Sequence, residues 1–289
     1  AGSVQSSAAG VLGAGVQNDG TVGAGAGDLQ VTSAGALAAH GTQLAAGHLA
    51  LQGASIDLTA SKTSAANVRL SALAGNVTTS GAQVITPGVL GIAGNAQVAQ
   101  TLVNEGGTLN AALLQLQVAN LSNTQGGEIS QTGSQPLNVT VPGIMDNSGG
   151  RIGGNGDVRL QAASMANRGG QVQAPGTGTL SAAVGGTLDN SQGGSLGAGG
   201  NLALTAGALK NDAGRVTAVS AAQIALGGAA SNVGGTIAAN QQLVLSASSL
   251  DNTGGSIGAV QGDLPVRAQG LAGHASGQLL AGGALEGAS

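Results

Sequence analysis

Apolar and polar positions alternate along this chain in short bursts rather than in long runs. Leu29-Gln30-Val31, Leu49-Ala50-Leu51, Ile56-Asp57-Leu58 and Val68-Arg69-Leu70 each set aliphatic residues on one side and a small or polar residue on the other. Further aliphatics fall at Val84-Ile85 and Val98, and clear alternation returns at Val158-Arg159-Leu160, Leu202-Ala203-Leu204, Ile224-Ala225-Leu226 and Leu243-Val244-Leu245. Period-2 alternation over a few residues, bounded by Gly, Ser, Asn or Thr, predicts short strands with one buried face. A helix would need a sustained i, i+3, i+4 stripe and few glycines, and neither is present. Leu109 to Leu121 contains Ala111-Ala112-Leu113-Leu114 and competes as a helical turn, but Leu114, Leu116 and Val118 alternate, which predicts a strand.

Between the strands one phrase keeps returning: aliphatic, Asn, a Gly-Gly pair, aliphatic. Its Asn stands at Asn104, Asn123, Asn147, Asn167, Asn190, Asn211, Asn232 and Asn252, a mean step of (252 − 104)/7, or about 21 residues. A fixed period in this range marks a solenoid whose repeats stack as coils. The predicted fold is therefore all-β, a right-handed parallel β-helix with about 21 residues per coil, the hand following the general rule for parallel crossovers. Equivalent strands would lie about 4.8 Å apart, so alternate aliphatics form columns inside a narrow tube. The turn glycines are Gly106, Gly107, Gly126, Gly127, Gly149, Gly150, Gly169, Gly170, Gly193, Gly194, Gly214, Gly234, Gly235, Gly254 and Gly255, read as residues that tolerate positive φ. The Asn residues suit the same turns and can bond one another from coil to coil, which predicts a structural column rather than a binding one. By this pattern, residues 1–27 are a low-complexity Gly/Ala-rich start, 28–102 degenerate coils, 103–260 regular repeats and 261–289 a Gly-rich terminal coil. Neither end resembles a polar cap, so the sequence reads as an uncapped fragment of a longer protein.

Composition narrows the choice further. The chain has no Phe, Trp, Tyr or Cys, 55 Gly in 289 residues, and 42% hydrophobic residues. Large compact cores draw much of their buried area from aromatic rings, so a globular core is excluded. Disordered chains are usually charged and poor in aliphatics, which this one is not. Gly does not recur every third residue, so collagen is excluded as well. A net charge of −4 with no basic stripe leaves no electrostatic footprint for nucleic acid. No apolar run approaches the roughly 20 residues of a membrane span.

Leu188-Asp189-Asn190-Ser191-Gln192-Gly193-Gly194-Ser195-Leu196, Leu209-Lys210-Asn211-Asp212-Ala213-Gly214-Arg215-Val216 and Leu250-Asp251-Asn252-Thr253-Gly254-Gly255-Ser256-Ile257 precede Leu-x-Leu or similar strands. This arrangement resembles the filamentous haemagglutinin repeat of two-partner secretion exoproteins, among them haemagglutinin-type adhesins and contact-dependent growth inhibition effectors. The resemblance is good over 103–260 and weaker over 28–102. It implies a β-helical shaft that is secreted to the bacterial surface and carries an adhesive or toxic tip. It also implies an outer-membrane transporter, engaged through a domain outside these residues, and a receptor on a host cell or target bacterium.

β-Helices also serve as polysaccharide lyases and hydrolases, and the repeat allows that alternative to be weighed. The position before each Asn reads Val103, Ser122, Asp146, Ala166, Asp189, Lys210, Ser231 and Asp251. No two carboxylates fall on neighbouring coils; Asp146 and Asp189 would be roughly 10 Å apart along the axis. Retaining glycosidases need about 5–5.5 Å and inverting ones about 6.5–9.5 Å. Gly153-Gly154-Asn155-Gly156-Asp157 is one residue short of a calcium nonapeptide and occurs once, so it reads as a turn. His40, His48 and His274 are read as having no Cys or clustered carboxylates near them, and two histidines do not make a zinc site. The expectation is a non-enzymatic shaft without metal or cofactor, with a receptor-binding section of the same exoprotein as a further possibility, best placed at 60–145.

Overall fold

The protein is described from a computed structural model, which covers residues 3–6, 9–94, 100–272 and 276–288. Every regular element among them is a strand, and every pair of strands is parallel within the two compact units that the chain forms. One unit holds residues 1–134 and 138–144, the other 135–137 and 145–289. His274 and Val98 lie outside the described residues.

In the second unit each coil contributes to three stacks of strands. The first stack comprises Arg151–Gly154, Gln171–Ala174, Ser195–Ala198, Arg215–Ala218, Thr236–Ala239, Ser256–Ala259 and Gln278–Ala281. Its register sets Ile152 against Val172, Val172 against Leu196, Leu196 against Val216, Val216 against Ile237 and Ile237 against Ile257. The last two steps are 237 − 216 = 21 and 257 − 237 = 20 residues, one lap of the solenoid. All six side chains in that column are at most 1% exposed. The second stack buries Val158, Leu180, Leu202, Ala222, Leu243 and Leu264, and the third buries Met165, Leu188, Leu209, Ala230 and Leu250. Fully burying one aliphatic of this size stabilises by about 1.5–3 kcal/mol. Aliphatic side chains fill these columns, in a sequence that has no Phe, Trp or Tyr.

The first unit repeats the plan. Leu29 and Leu49, then Leu49 and Val68, then Val68 and Leu90 stack on its second face, and Leu37 and Ile56 on its third. Its first stack carries polar residues inward, among them Gln43 and Thr63, each 1% exposed, with Thr63 Oγ1 donating to Gln43 Oε1 at 2.8 Å.

Corners differ between the units because backbone chemistry differs there. In the first unit Gln83–Ala93 runs through the first and second stacks, with a register shift between Thr86 and Val89. Pro87 has no N–H to give a ladder, and a bulge is where a strand tolerates that loss. Asn67 repairs the gap: its Oδ1 accepts from Val89 N at 2.8 Å. In the second unit Leu180–Asp189 runs through the second and third stacks instead, shifting register between Val184 and Thr187 at Gly185-Gly186. Among the described residues no helix is long and apolar enough to cross a membrane.

Candidate functional site

The Asn residues form the most ordered polar feature of the fold. Asn104, Asn123, Asn147, Asn167, Asn190, Asn211 and Asn232 are 0% exposed and Asn252 is 1% exposed. Each stands where the third stack turns into the first. In the first unit Asn104 Nδ2 donates to Asn123 Oδ1 at 2.7 Å. In the second unit Asn147, Asn167, Asn190, Asn211 and Asn232 each donate Nδ2 to the Oδ1 of the next Asn, every time at 2.7 Å. The same nitrogens also reach their own turns: Asn190 Nδ2 lies 3.1 Å from Gly194 O, and Asn211 Nδ2 lies 3.3 Å from Gly214 O. A buried amide left without partners is costly, and here each coil supplies the partners of the one before it.

The two glycines of the phrase have different jobs. The first carries positive φ: 62° at Gly106, 65° at Gly149, 60° at Gly169, 62° at Gly234 and 61° at Gly254. Ala213 holds the equivalent place with φ 54°, so that conformation is favoured by glycine without demanding it. In the two longer turns Gln125 and Gln192 join Gly126 and Gly193 at positive φ. The second glycine has no positive φ. It is small because the neighbouring coil is close: a Cβ at Gly127, Gly170, Gly194, Gly214, Gly235 or Gly255 would overlap the carbonyl oxygen of the Asn on the preceding coil. The sequence reading gave both glycines the same reason, and for the second the reason is steric approach.

The column also extends beyond the repeated phrase. Thr79 occupies the Asn place one coil earlier, 0% exposed, and its Oγ1 donates to Asn104 Oδ1 at 2.8 Å. Leu58 N donates to Thr78 O in the way Thr79 N donates to Val103 O and Asn104 N to Ser122 O, which puts Leu58 in the same column. Asn18 pairs with Ala39 in the matching register. Its Oδ1 accepts from Gly20 N at 3.1 Å, but its buried Nδ2 finds no partner, because Ala39 offers none. The sequence does not mark Thr79 as a member: it stands 104 − 79 = 25 residues before Asn104, whereas the mean step of about 21 leads back to Gln83.

Charged side chains beside the column are spaced as counter-charges. Asp189 lies against Ala166 on one side and Lys210 on the other. It is 8% exposed, and its Oδ2 accepts from Arg168 Nε at 2.8 Å. Burial pushes its carboxyl up, but hydrogen bonds from Ser191 and Arg168 outweigh this and hold it below the ordinary aspartate value. Asp157, from the calcium-like phrase, accepts from Thr179 N at 2.9 Å and from Arg159 at 3.1 Å, and so serves the next coil and its own strand.

The two described histidines are not brought together. His40 follows a third-stack strand and reaches Asp19 at 3.4 Å and Asp57 at 3.2 Å, whereas His48 opens a second-stack strand. Burial pushes the Asp57 carboxyl up as well, and bonds from Thr59 and His40 again bring it below the ordinary value. Among the described residues no three His, Cys, Asp or Glu gather as a metal ion requires.

No family profile matches the chain, and no solved structure matches it. A curated protein of Yersinia pestis, "Toxin CdiA", is 47% identical over 116 residues, which is 40% of this chain and 4% of the relative. The chain is related to CdiA proteins over that stretch. A second CdiA relative, "tRNA nuclease CdiA-2" of Burkholderia pseudomallei (strain 1026b), is 43% identical over 103 residues, 35% of the chain and 3% of the relative. The chain thus spans a few hundredths of the length of the CdiA proteins it matches. The toxin and nuclease names belong to those whole proteins. Similarity to CdiA agrees with the resemblance carried by the Asn-Gly-Gly phrase, and the β-solenoid agrees with the fold class read from its period.

Proposed function

We propose that these residues are a non-catalytic spacer in the shaft of a CdiA-like exoprotein, secreted by the two-partner route. The spacer holds a toxic or adhesive tip away from the cell that makes it. The observation that carries this reading is the Asn column. Buried polar groups that usually mark chemistry are here consumed in joining one coil to the next, by the same Asn-to-Asn bond at each step from Asn147 to Asn252. In this reading the partners are an outer-membrane transporter, met through another part of the parent protein, and a receptor on the target cell.

A β-helical lyase or hydrolase would need paired carboxylates at catalytic separation. Asp189 instead has Ala166 and Lys210 as its neighbours. The purified chain incubated with pectin-type polymers should release no shortened products, and Asp146→Asn and Asp189→Asn should leave that unchanged. Product release that disappears in either variant would replace the spacer with an enzyme.

A further inference from the structure

The second-stack face of the first unit carries a groove of about 500 Å³ whose lining includes His48, Ala50, Arg69, Gly91, Gln115 and Gln117. Its shape follows from register. Ala50 pairs with Arg69, Arg69 with Gly91, and Gly91 with Gln115 on successive coils. A long side chain, a gap and another long side chain therefore stand in one outward row. Ala93 pairs with Gln117 and widens the gap.

Gly91 has no reason in the fold to be glycine. Its φ is not in the left-handed region, and an added Cβ would meet no atom within 4 Å. By contrast a Cβ at nearby Gly88 would overlap Ala66 O. Glycine weakens a strand interior and often marks a bulge, a bend or a place where a ligand or another backbone comes close; here no backbone lies within 4 Å of the added Cβ, which leaves a ligand's approach as the use for the space. The walls indicate what kind of ligand. Arg69 Nε donates to Ser71 Oγ at 3.3 Å, its terminal nitrogens meet no acceptor among the described residues, and no carboxylate lines the groove. Gln115 and Gln117 are exposed and present amides that both donate and accept. Ala50, Val89 and Ala93 supply apolar floor. A peptide could not add here as a strand, because Asn67–Ala72 is already paired on both sides, with His48–Gly53 and Gln83–Ala93.

We infer that this groove binds an acidic oligosaccharide, with one sugar seated over Gly91, its carboxylate on the Arg69 guanidinium and its hydroxyls on Gln115 and Gln117. A guanidinium fork matches a carboxylate in two bonds. Depth created by a missing side chain takes the place of the aromatic platform that the composition denies this chain. The inference goes beyond the spacer reading by giving one face of the spacer a contact of its own.

Calorimetric titration of the full 289-residue chain with a galacturonic acid hexamer, and with maltohexaose as its neutral counterpart, tests this. The acidic hexamer should bind at least tenfold more tightly than the neutral one. Arg69→Gln and Gly91→Val should each weaken it at least tenfold while leaving the melting temperature in place, valine being a good strand residue. If Gly91→Val proves unfolded, Gly91→Ser provides the same obstruction in smaller form. Equal affinity for the two sugars, no heat with the acidic one, or full binding by the Arg69 variant would each overturn the inference and leave the spacer intact. Shortened hexamer after titration would instead overturn the spacer's non-catalytic character.

Discussion

Asn190 is held from several sides: it accepts from Asn167 and donates to Asn211 Oδ1, with Gly194 O and Arg215 O also within 3.1 Å of its Nδ2. Replacing it with leucine leaves the buried Oδ1 of Asn211 without its donor and takes from Asn167 Nδ2 the shortest of its contacts, leaving it Gly170 O at 3.2 Å and Ser195 O at 3.3 Å. Buried groups left unpaired cost about 1–3 kcal/mol apiece, so Asn190→Leu should destabilise on the order of 3 kcal/mol. Asn18→Leu should cost far less, because its Nδ2 is already without a partner. Thermal melts of the two variants compare them directly, and equal melting temperatures would count against the column as a source of stability. Titration adds a second expectation. Asp189 and Asp57 have folded-state values below the ordinary one, so their contribution is present above the unfolded value of 3.8 and is lost as pH falls through the folded value. Melting temperature should therefore fall on acidification below about pH 4. Asp189→Asn should lower it at neutral pH and flatten the acid limb; an unchanged limb would mean that other groups dominate it.

At the level of the element, the turn and the strand were legible in the sequence to different degrees. Alternation such as Val158-Arg159-Leu160 needs only local pattern, because a strand's two faces are written in consecutive residues. The Gly-Gly pair announces a turn equally plainly, but not why there are two glycines. The first responds to its own φ, a local matter, while the second answers to a carbonyl about one lap away, which no local pattern records. The pair can be separated by experiment. Gly234→Ala puts a methyl where no atom lies within 4 Å and where φ is 62°, a conformation Ala213 already adopts one coil earlier. It should cost roughly 1–2 kcal/mol. Gly235→Ala drives a methyl into Asn211 O and should cost several times as much, seen as a much lower denaturation midpoint. The reverse ranking would refute the steric assignment. Thr79, Leu58, Ala39 and Asn18 were not legible as members of the Asn column, since their side chains share no chemistry that a repeat search could follow.

Across the whole molecule, stability is shared between neighbouring coils rather than gathered in one centre. Residues in contact lie mainly one lap apart, so within each unit the coils behave as a row of repeats with nearest-neighbour coupling. Removing residues 190–210 excises one lap of 21 residues, the Asn190-to-Asn211 interval, and rejoins Asp189 to Asn211 in register. That deletion should leave strand content and melting temperature close to those of the parent. Removing half as many residues turns buried aliphatics outward for the rest of the coil, and it should aggregate or melt far lower, as circular dichroism and light scattering would register. Two deletions with the same outcome would mean that the laps are not interchangeable. The period that makes the experiment possible was visible from the Asn spacing alone, whereas the groove at Gly91 was not, because it takes four coils to assemble and only stacking brings them side by side.

The direction of the carboxamide bonds has one last consequence. From Asn147 to Asn232 each side chain gives an amide hydrogen to the oxygen of its C-terminal neighbour, so from Asn167 to Asn252 each accepting oxygen faces its N-terminal one. The side chains are thus small dipoles laid head to tail in a dry interior, where such rows polarise one another. The row carries partial positive charge at its Asn252 end and partial negative charge at its Asn147 end, an electrical asymmetry along an object whose backbone looks the same from lap to lap.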